Sequence, residues 1–162
     1  MRTNRVFVAL FLALGTTVVS TAVSVTPAAA TITGDYIKEV VLRTNQNRSA
    51  HGCPALTVNY TLEKVAYQHS QDMAAHDYFA HNTLSGKSPG TRITAAGYHW
   101  TRWAENIAAG YLTPAKVVAG WMASPGHRAN ILNCKLREIG VGYVQSTTAT
   151  YPTYWTQDFG TR

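Results

Sequence analysis

Two arginines near the start of the chain, Arg2 and Arg5, precede an uninterrupted apolar run from Val6 to Leu14. A milder stretch then leads to three consecutive alanines that end at Ala30. A basic start, a short apolar middle and an A-x-A end are typical of a secretory signal peptide. We therefore predict a signal peptide over residues 1–30 and a mature domain over residues 31–162. An uncleaved membrane anchor is the alternative interpretation of the same run.

The mature chain has enough residues for one domain and too few for two. Apolar residues make up 46% of the sequence and charged residues 14%, which permits a packed core and argues against global disorder. Removal of the two N-terminal arginines lowers the net charge from +6 to +4 and leaves no block of like charge. This pattern argues against a nucleic-acid surface and supports, at most, a general attraction to an anionic cell envelope.

Two cysteines, Cys53 and Cys134, are present in the whole sequence. Two are too few for a multi-bridge scaffold or a four-cysteine zinc site. Because an exported protein meets an oxidising compartment, we expect a disulfide between them, with two buried free thiols as the alternative. A catalytic cysteine is therefore not expected.

Helix signals occupy the first part of the mature chain. Residues 35–48 place apolar side chains at three- and four-residue steps, which indicates a helix. Asn59 is the predicted cap of a second helix, and a short helix is predicted over 91–96. Thr113–Pro114 and Ser124–Pro125 each combine a capping side chain with a proline in the first turn, so each predicts a further helix start.

The end of the chain has a different character. Residues 139–144 and 151–159 are rich in β-branched and aromatic side chains, with turn-forming residues between them, as is typical of a strand pair. Helices first and strands last, without the regular alternation of βαβ units, predict an α+β fold.

Histidines and carboxylates are the candidate chemical groups, because the sequence contains no H-E-x-x-H, G-x-S-x-G or C-x-x-C motif. His69 and His76 share the apolar face of the second helix, which favours hydrogen-bonded core or boundary positions. His127 falls in the first turn after Ser124–Pro125, where the helix N-terminus disfavours the imidazolium form. A neutral imidazole there can bind a metal or act as a base, and a capping or packing role is the alternative.

Two acids stand next to apolar segments. Glu105 lies between Trp103 and Ile107, and Glu138 directly precedes a strand. Burial of such an acid is costly unless it is paired or hydrogen-bonded, so each is either at a solvent-facing strand end or part of a site. Two histidines and one or two carboxylates could coordinate zinc and leave a position for water. Spacing alone does not show that these residues converge.

Several motifs occur in a fixed order along the chain. They are Tyr78-Phe79-Ala80-His81, Ala104-Glu105-Asn106-Ile107-Ala108, the segment Trp121 to Leu132, Glu138-Ile139-Gly140-Val141-Gly142, and the segment Tyr154 to Gly160. With this set the chain resembles the CAP superfamily (cysteine-rich secretory proteins, antigen 5 and pathogenesis-related 1), specifically its bacterial SCP-like branch. The resemblance runs from about Ile37 to Gly160.

The resemblance implies a three-layer α-β-α sandwich, with a central antiparallel sheet and a cleft lined by histidine and glutamate. Family members often bind a divalent metal, frequently zinc, through two cleft histidines, which match His81 and His127 here. Glu105 matches the glutamate of the family's G-E-N segment, although Ala104 stands in place of the glycine.

The chain also departs from the family pattern. Eukaryotic members carry a second cleft glutamate shortly after a tryptophan, but no acid occurs between Trp121 and Gly126 in this chain. Glu138 is our candidate substitute for this second cleft carboxylate. The lipid-binding loop of some sterol-exporting relatives has no recognisable counterpart here.

The resemblance favours a secreted or cell-wall-associated binding module whose cleft holds a divalent metal or small ligand. One alternative is a protease-like zinc hydrolase, in which Glu105 is the general base and a metal-polarised water is the nucleophile. Lipid or sterol binding is another, and enzymatic activity is not general in the family. A further alternative is a polar core of His81, Glu105 and His127 that only stabilises the fold.

The expected partner is an extracellular or cell-envelope ligand that the sequence does not identify. We expect a monomer, no nucleic-acid partner, and no transmembrane segment once the signal peptide is removed.

Overall fold

The computed structural model describes the backbone of residues 27–162 and side chains from residue 32 onward. The predicted signal peptide, residues 1–30, lies almost wholly outside the described residues and stays a prediction. Within the described range, none of the helices combines the length and apolar character needed to cross a membrane.

The described residues form five helices and four strands. The helices are α1 (Pro27–Ala50), α2 (Tyr60–Ala75), α3 (Pro89–Ala95), α4 (Pro114–Ala123) and α5 (Pro125–Ile131). The strands are β1 (Thr57–Val58), β2 (Arg102–Ala109), β3 (Glu138–Gln145) and β4 (Thr153–Thr161). This mixture of helices and strands confirms the predicted α+β class.

The capping and proline residues that predict helix starts lie at the N-termini of helices in the structure. The Asn59 side chain accepts hydrogen bonds from the first backbone amides of α2, and the Thr113 hydroxyl accepts one from the Lys116 amide in α4. The short third helix begins two residues earlier than predicted, because Ser88 caps it and Pro89 occupies its first turn. Ser124 precedes α5 without a side-chain capping bond, so the proline alone marks that start.

The strands form one sheet in the order β1-β3-β4-β2. β3 and β2 both pair antiparallel with β4, whereas the two-residue strand β1 pairs parallel with β3. The central sheet is therefore antiparallel, as expected, apart from this short edge strand. The expectation that strands come only last was wrong, since β2 lies between α3 and α4. The polar residues Glu105 and Asn106 at the centre of β2 interrupt the apolar pattern that would predict a buried strand.

Helices cover both faces of the sheet, which gives three layers. On one face α1 contacts β3, whereas α4 and α5 contact β2, and side chains of all three helices join those of β3 and β4 in one cluster around Trp121, Trp155 and Phe159. On the other face α2 and α3 pack in two smaller clusters, centred on Leu62 and Met73. Because β2 is at the edge of the sheet, segments from both helical layers reach it.

Glycines in β3 allow α2 to contact the sheet directly. A Cβ atom on Gly140 would overlap the backbone of Leu62 and Glu63, and one on Gly142 would overlap the backbone at Ala66. Neither collision involves a flexible side chain that could move aside. The glycines of the Gly-Val-Gly sequence in β3 are therefore required for α2 to pack this closely against the sheet.

Cys53 and Cys134 form the expected disulfide, with their Cα atoms 4.9 Å apart. The bond joins the segment after α1 to the segment after α5. The fully buried Arg48 connects the same two segments, because its guanidinium donates hydrogen bonds to the carbonyl oxygens of Ile131 and Leu136 at 2.8 and 3.0 Å.

The backbone overlap predicts a large effect of one added methyl group. Gly140→Ala should lower the free energy of unfolding by about 3 kcal/mol, because α2 must move away from β3. Gly34→Ala, in open space on α1, is the matched control and should raise stability by up to about 1 kcal/mol through helix propensity. Urea unfolding of both variants measures this, and equal effects of the two would contradict the packing account.

Candidate functional site

The site is organised around the carboxylate of Glu105, whose side chain is only 1% exposed. Its Oε1 atom lies 2.7 Å from His81 Nδ1, and its Oε2 atom accepts a hydrogen bond from the Arg92 guanidinium. Glu105 lies on β2, Arg92 on α3, and His81 in the segment that connects α2 to α3. Both carboxylate oxygens are therefore engaged by partners from different parts of the fold.

Arg92 stabilises the position of His81 in a second way. Its guanidinium also donates hydrogen bonds to the backbone carbonyl oxygens of His81 at 2.7 Å and Lys87 at 3.2 Å. The arginine side chain is only 10% exposed, so water competes weakly for these bonds. His81 is thus held at its backbone by Arg92 and at its ring by Glu105.

The partner of His81 Nδ1 determines the tautomer of the neutral ring. A carboxylate only accepts hydrogen bonds, so Nδ1 carries the proton and Nε2 keeps its lone pair. The His81 side chain is 50% exposed, and Nε2 has no hydrogen bond to another described group. In the neutral tautomer, this arrangement directs the lone pair of Nε2 outward at the edge of the sheet.

His127 approaches the same edge from the opposite helical layer. It is half-buried in α5, whereas His81 belongs to the layer of α2 and α3. Burial lowers the pKa of the His127 imidazole below its ordinary value, and the nearby His81 ring lowers it further. The site therefore favours a neutral imidazole at His127, beside the oriented imidazole of His81.

A buried amide network fixes α5 against β2. The Asn130 side chain donates to the Glu105 carbonyl oxygen and to Asn106 Oδ1, at 3.2 and 2.9 Å. Asn106 in turn donates to the His127 carbonyl oxygen and to Gln157 on β4, both at 3.2 Å. These bonds determine where α5 places His127 relative to Glu105.

Two buried groups lie behind the site. Asp158 is fully buried on β4 opposite Glu105, and burial together with the Glu105 carboxylate raises the pKa of Asp158 well above its ordinary range. His69 is buried on α2, where its Nε2 bonds the Ala80 carbonyl oxygen at 3.0 Å. His69 is therefore the hydrogen-bonded core histidine expected from the sequence, whereas His76 is exposed beside Asp72.

Glu138 has other partners. Its carboxylate accepts hydrogen bonds from Asn59, Tyr98 and Arg162, which hold the pKa of Glu138 down to about 2. None of these three partners belongs to the group around Glu105. The structure therefore joins His81 to Glu105 and brings His127 close, but it does not bring Glu138 into contact with them.

Sequence reasoning missed Arg92 and Asp158. Arg92 lies in a short, otherwise unremarkable helix, and its importance depends on the fold of the segment from 81 to 92. Asp158 is part of a recognised motif, but only the register of β2 and β4 places it opposite Glu105.

The donor set offers few ligands to a metal ion. Within residues 27–162 no group of three or more histidine, cysteine, aspartate or glutamate side chains is arranged to hold one. Both oxygens of Glu105 are already paired, so a cation would have two imidazole ligands, His81 Nε2 and a His127 nitrogen. Hydrogen bonding of the other ring nitrogen to a carboxylate is the usual support of a metal-binding histidine. A cation here would therefore have at most two protein ligands, and its other ligands would have to come from outside the protein.

Comparison with protein families gives a match over most of the chain. The family model described as "CAP: Cysteine-rich secretory protein family" matches residues 41–159. The YkwD protein of Bacillus subtilis is 43% identical over 124 residues, which are 76% of this chain and 46% of that protein. The membrane protein YlbC of the same organism is 32% identical over 75% of this chain and 33% of its own length. The chain thus spans less than half the length of either relative.

Solved structures show the same fold. An extracellular protein of Bacillus anthracis containing a SCP domain superposes with a TM-score of 0.75 and 29% identity, over 87% of this chain and 45% of that one. An outer surface protein of Borrelia burgdorferi superposes with a TM-score of 0.74 and 25% identity, over 80% of this chain and 95% of that one. The three-layer architecture is therefore that of the SCP domain.

The pairing of Glu105 predicts a strong effect of removing Arg92. Arg92→Met should lower the free energy of unfolding by about 3–5 kcal/mol, because it leaves a buried carboxylate without its cationic partner. Adding Glu105→Gln to that variant should restore part of this loss, since the amide carries no charge.

The exposed ion pair between Lys38 and Asp35 supplies the control. Lys38→Met should cost less than about 1 kcal/mol. Urea unfolding of all four proteins gives the comparison, and an Arg92→Met loss no larger than that of Lys38→Met would show that the buried pair has been misassigned.

The surroundings of His127 predict its titration. Its imidazole should titrate below the ordinary value of 6.5 in an NMR pH titration. His81→Gln should raise this pKa only partly, because burial, the larger cause, remains. Since the unfolded chain binds more protons, the stability linked to His127 and to His69 is present above about pH 6.5 and is lost on acidification below it. A titration midpoint of the His127 imidazole above pH 6.5 would contradict this description of the cleft.

Proposed function

The chain belongs to the cysteine-rich secretory protein (CAP) family, and on that premise we propose that it is a secreted binding module. Its binding cleft is the edge of β2, where His127 presents a neutral imidazole and His81 an imidazole that Glu105 orients. The observation that carries the proposal is the complete pairing of the buried Glu105 carboxylate, which orients His81 and leaves its Nε2 atom open. A divalent cation or a small polar ligand is the expected occupant.

The donor set supports a borderline cation such as Zn²⁺, since neutral imidazole is a common ligand of that ion. His81 and His127 would hold the cation, and water or a bound ligand would complete its coordination. When bound, such an ion supplies Lewis-acid polarisation of the groups that it coordinates. Glu105 acts on His81 through Nδ1 and is therefore a positioning residue.

The burial of Glu105 disfavours the alternative of a zinc hydrolase. A general base must accept a proton from the attacking water. The Glu105 carboxylate keeps lone pairs beyond its bonds to His81 and Arg92, but its side chain is only 1% exposed, so water has little access to them. We therefore favour binding over turnover, and no contact in the described residues specifically favours lipid or sterol binding.

Secretion is part of the proposal. The predicted signal peptide and disulfide suit an oxidising compartment outside the cytoplasm, and structural neighbours are described as extracellular or outer-surface proteins. The ligand of the cleft would then be an extracellular or cell-envelope component. The domain would bind it as a monomer.

Zinc titration calorimetry on the purified chain tests the cleft. Wild type should bind one zinc ion, and the His81→Ala/His127→Ala double variant should bind at least about 100-fold more weakly, because both protein ligands are lost. The matched control is His51→Ala/His76→Ala, which removes two exposed histidines elsewhere and should bind like wild type.

Circular dichroism of each variant separates loss of binding from loss of fold. Absence of zinc binding to folded wild type would refute the metal site. Undiminished binding to the folded cleft variant would place the zinc elsewhere.

A further inference from the structure

A shallow groove of about 590 Å³ lies between α3 and the start of β2, outside the histidine cleft. Two indole rings line it, those of Trp100 and Trp103. Trp100 is 38% exposed, and Trp103 is half-buried. The other two tryptophans, Trp121 and Trp155, are buried in the core.

The two rings are held in fixed orientations. Trp103 lies directly against Gly90, where an added Cβ would come within 2.8 Å of the indole nitrogen. The N–H of Trp100 donates a hydrogen bond to Thr94 Oγ1 at 2.9 Å, so its polar atom is already satisfied. The ring centroids are 6.2 Å apart with an angle of 70° between the planes. The groove is thus pre-formed, with little side-chain freedom left to lose on binding.

The rest of the lining consists of small and hydroxyl-bearing residues. Ser88, Thr91 and Thr94 on α3 and its cap place hydroxyl groups beside the rings. Among the described side chains, none that lines this groove is charged, although the sequence carries 14 lysines and arginines. A charged ligand would therefore lose water here without gaining an opposite charge.

These features together select a class of ligand. A neutral sugar ring has apolar C–H faces that pack on an indole, and hydroxyl groups at its rim that both donate and accept hydrogen bonds. Serine and threonine hydroxyls likewise act as donors or acceptors, so they suit a polyhydroxylated partner. Each of these hydroxyls already bonds within the protein, Ser88 with Thr91 and Thr94 with Trp100, but a hydroxyl can both donate and accept, so it can still bond a further partner. An apolar peptide side chain would use the rings and leave this remaining capacity unused.

We propose that this groove, which we call the indole groove, binds an uncharged carbohydrate, with sugar rings against Trp100 and Trp103 and sugar hydroxyls bonded to Ser88, Thr91 or Thr94. The assignment goes beyond the proposed function of the cleft and does not depend on it. The two sites are neighbours, because Trp103 and Glu105 lie two residues apart on one face of β2.

Tryptophan fluorescence provides a direct test. The purified chain is titrated with chitotetraose and, separately, cellotetraose, two uncharged oligosaccharides. We expect a saturable shift of emission to shorter wavelength with at least one of them, since only Trp100 and Trp103 are placed to lose water on binding. Trp100→Ala should weaken this binding about tenfold or more, whereas Trp100→Phe should retain part of it.

Tyr60→Ala is the matched control, because it removes a highly exposed aromatic ring outside the groove and should leave binding unchanged. Isothermal titration calorimetry measures oligosaccharide binding by the Trp100 variants, because these variants lack one of the two tryptophans whose fluorescence reports binding. Absence of saturable binding of both oligosaccharides to wild type would overturn the proposal, as would equal affinity of the Trp100→Ala variant. Loss of binding in a folded His127→Ala variant would also overturn it by placing the sugar in the histidine cleft.

Discussion

Burial of the Glu105 carboxylate is the constraint on which the site depends. A charged group removed from water costs several kcal/mol unless partners replace its hydration. Here the replacement comes from Arg92, 13 residues earlier, and His81, 24 residues earlier. The segment between α2 and α3 must therefore fold onto β2 for the carboxylate to be tolerated. The same interactions that satisfy Glu105 also orient the His81 ring, so stability and site geometry have one cause.

The edge position of β2 explains how two layers build one cleft. His81 comes from the layer of α2 and α3, and His127 comes from α5 on the opposite face of the sheet. In the interior of the sheet, neighbouring strands would separate such groups. Asn106 and Asn130 hold α5 at the edge through hydrogen bonds to main-chain oxygens of His127 and Glu105. Side chains from both layers can thus meet without distorting the β-sheet.

Local signals in the sequence were sufficient for the helices but not for the whole site. Proline and capping residues act within one turn, so the starts at Thr113–Pro114 and Ser124–Pro125 were predictable. The strand β2 was missed because its buried polar residues are satisfied by tertiary partners, which no local pattern reveals. The roles of Arg92 and Asp158 depend on long-range pairing, as do the partners of Glu138. The local settings of Glu105 and His127 marked them as candidates, the resemblance added His81 and grouped the three, and the structure adds the contact between His81 and Glu105.

The most direct test of the account is the tautomer of His81, measured by ¹⁵N chemical shifts of its ring nitrogens at about pH 8, above the ordinary imidazole pKa. If Glu105 orients the ring, Nδ1 carries the proton and Nε2 shows the shift of an unprotonated nitrogen. Replacement of Glu105 by glutamine removes the carboxylate and should change the ratio of the two neutral tautomers. A proton on Nε2, or an averaged mixture of tautomers in wild type, would contradict the account, because the cleft would then present no fixed ligand atom.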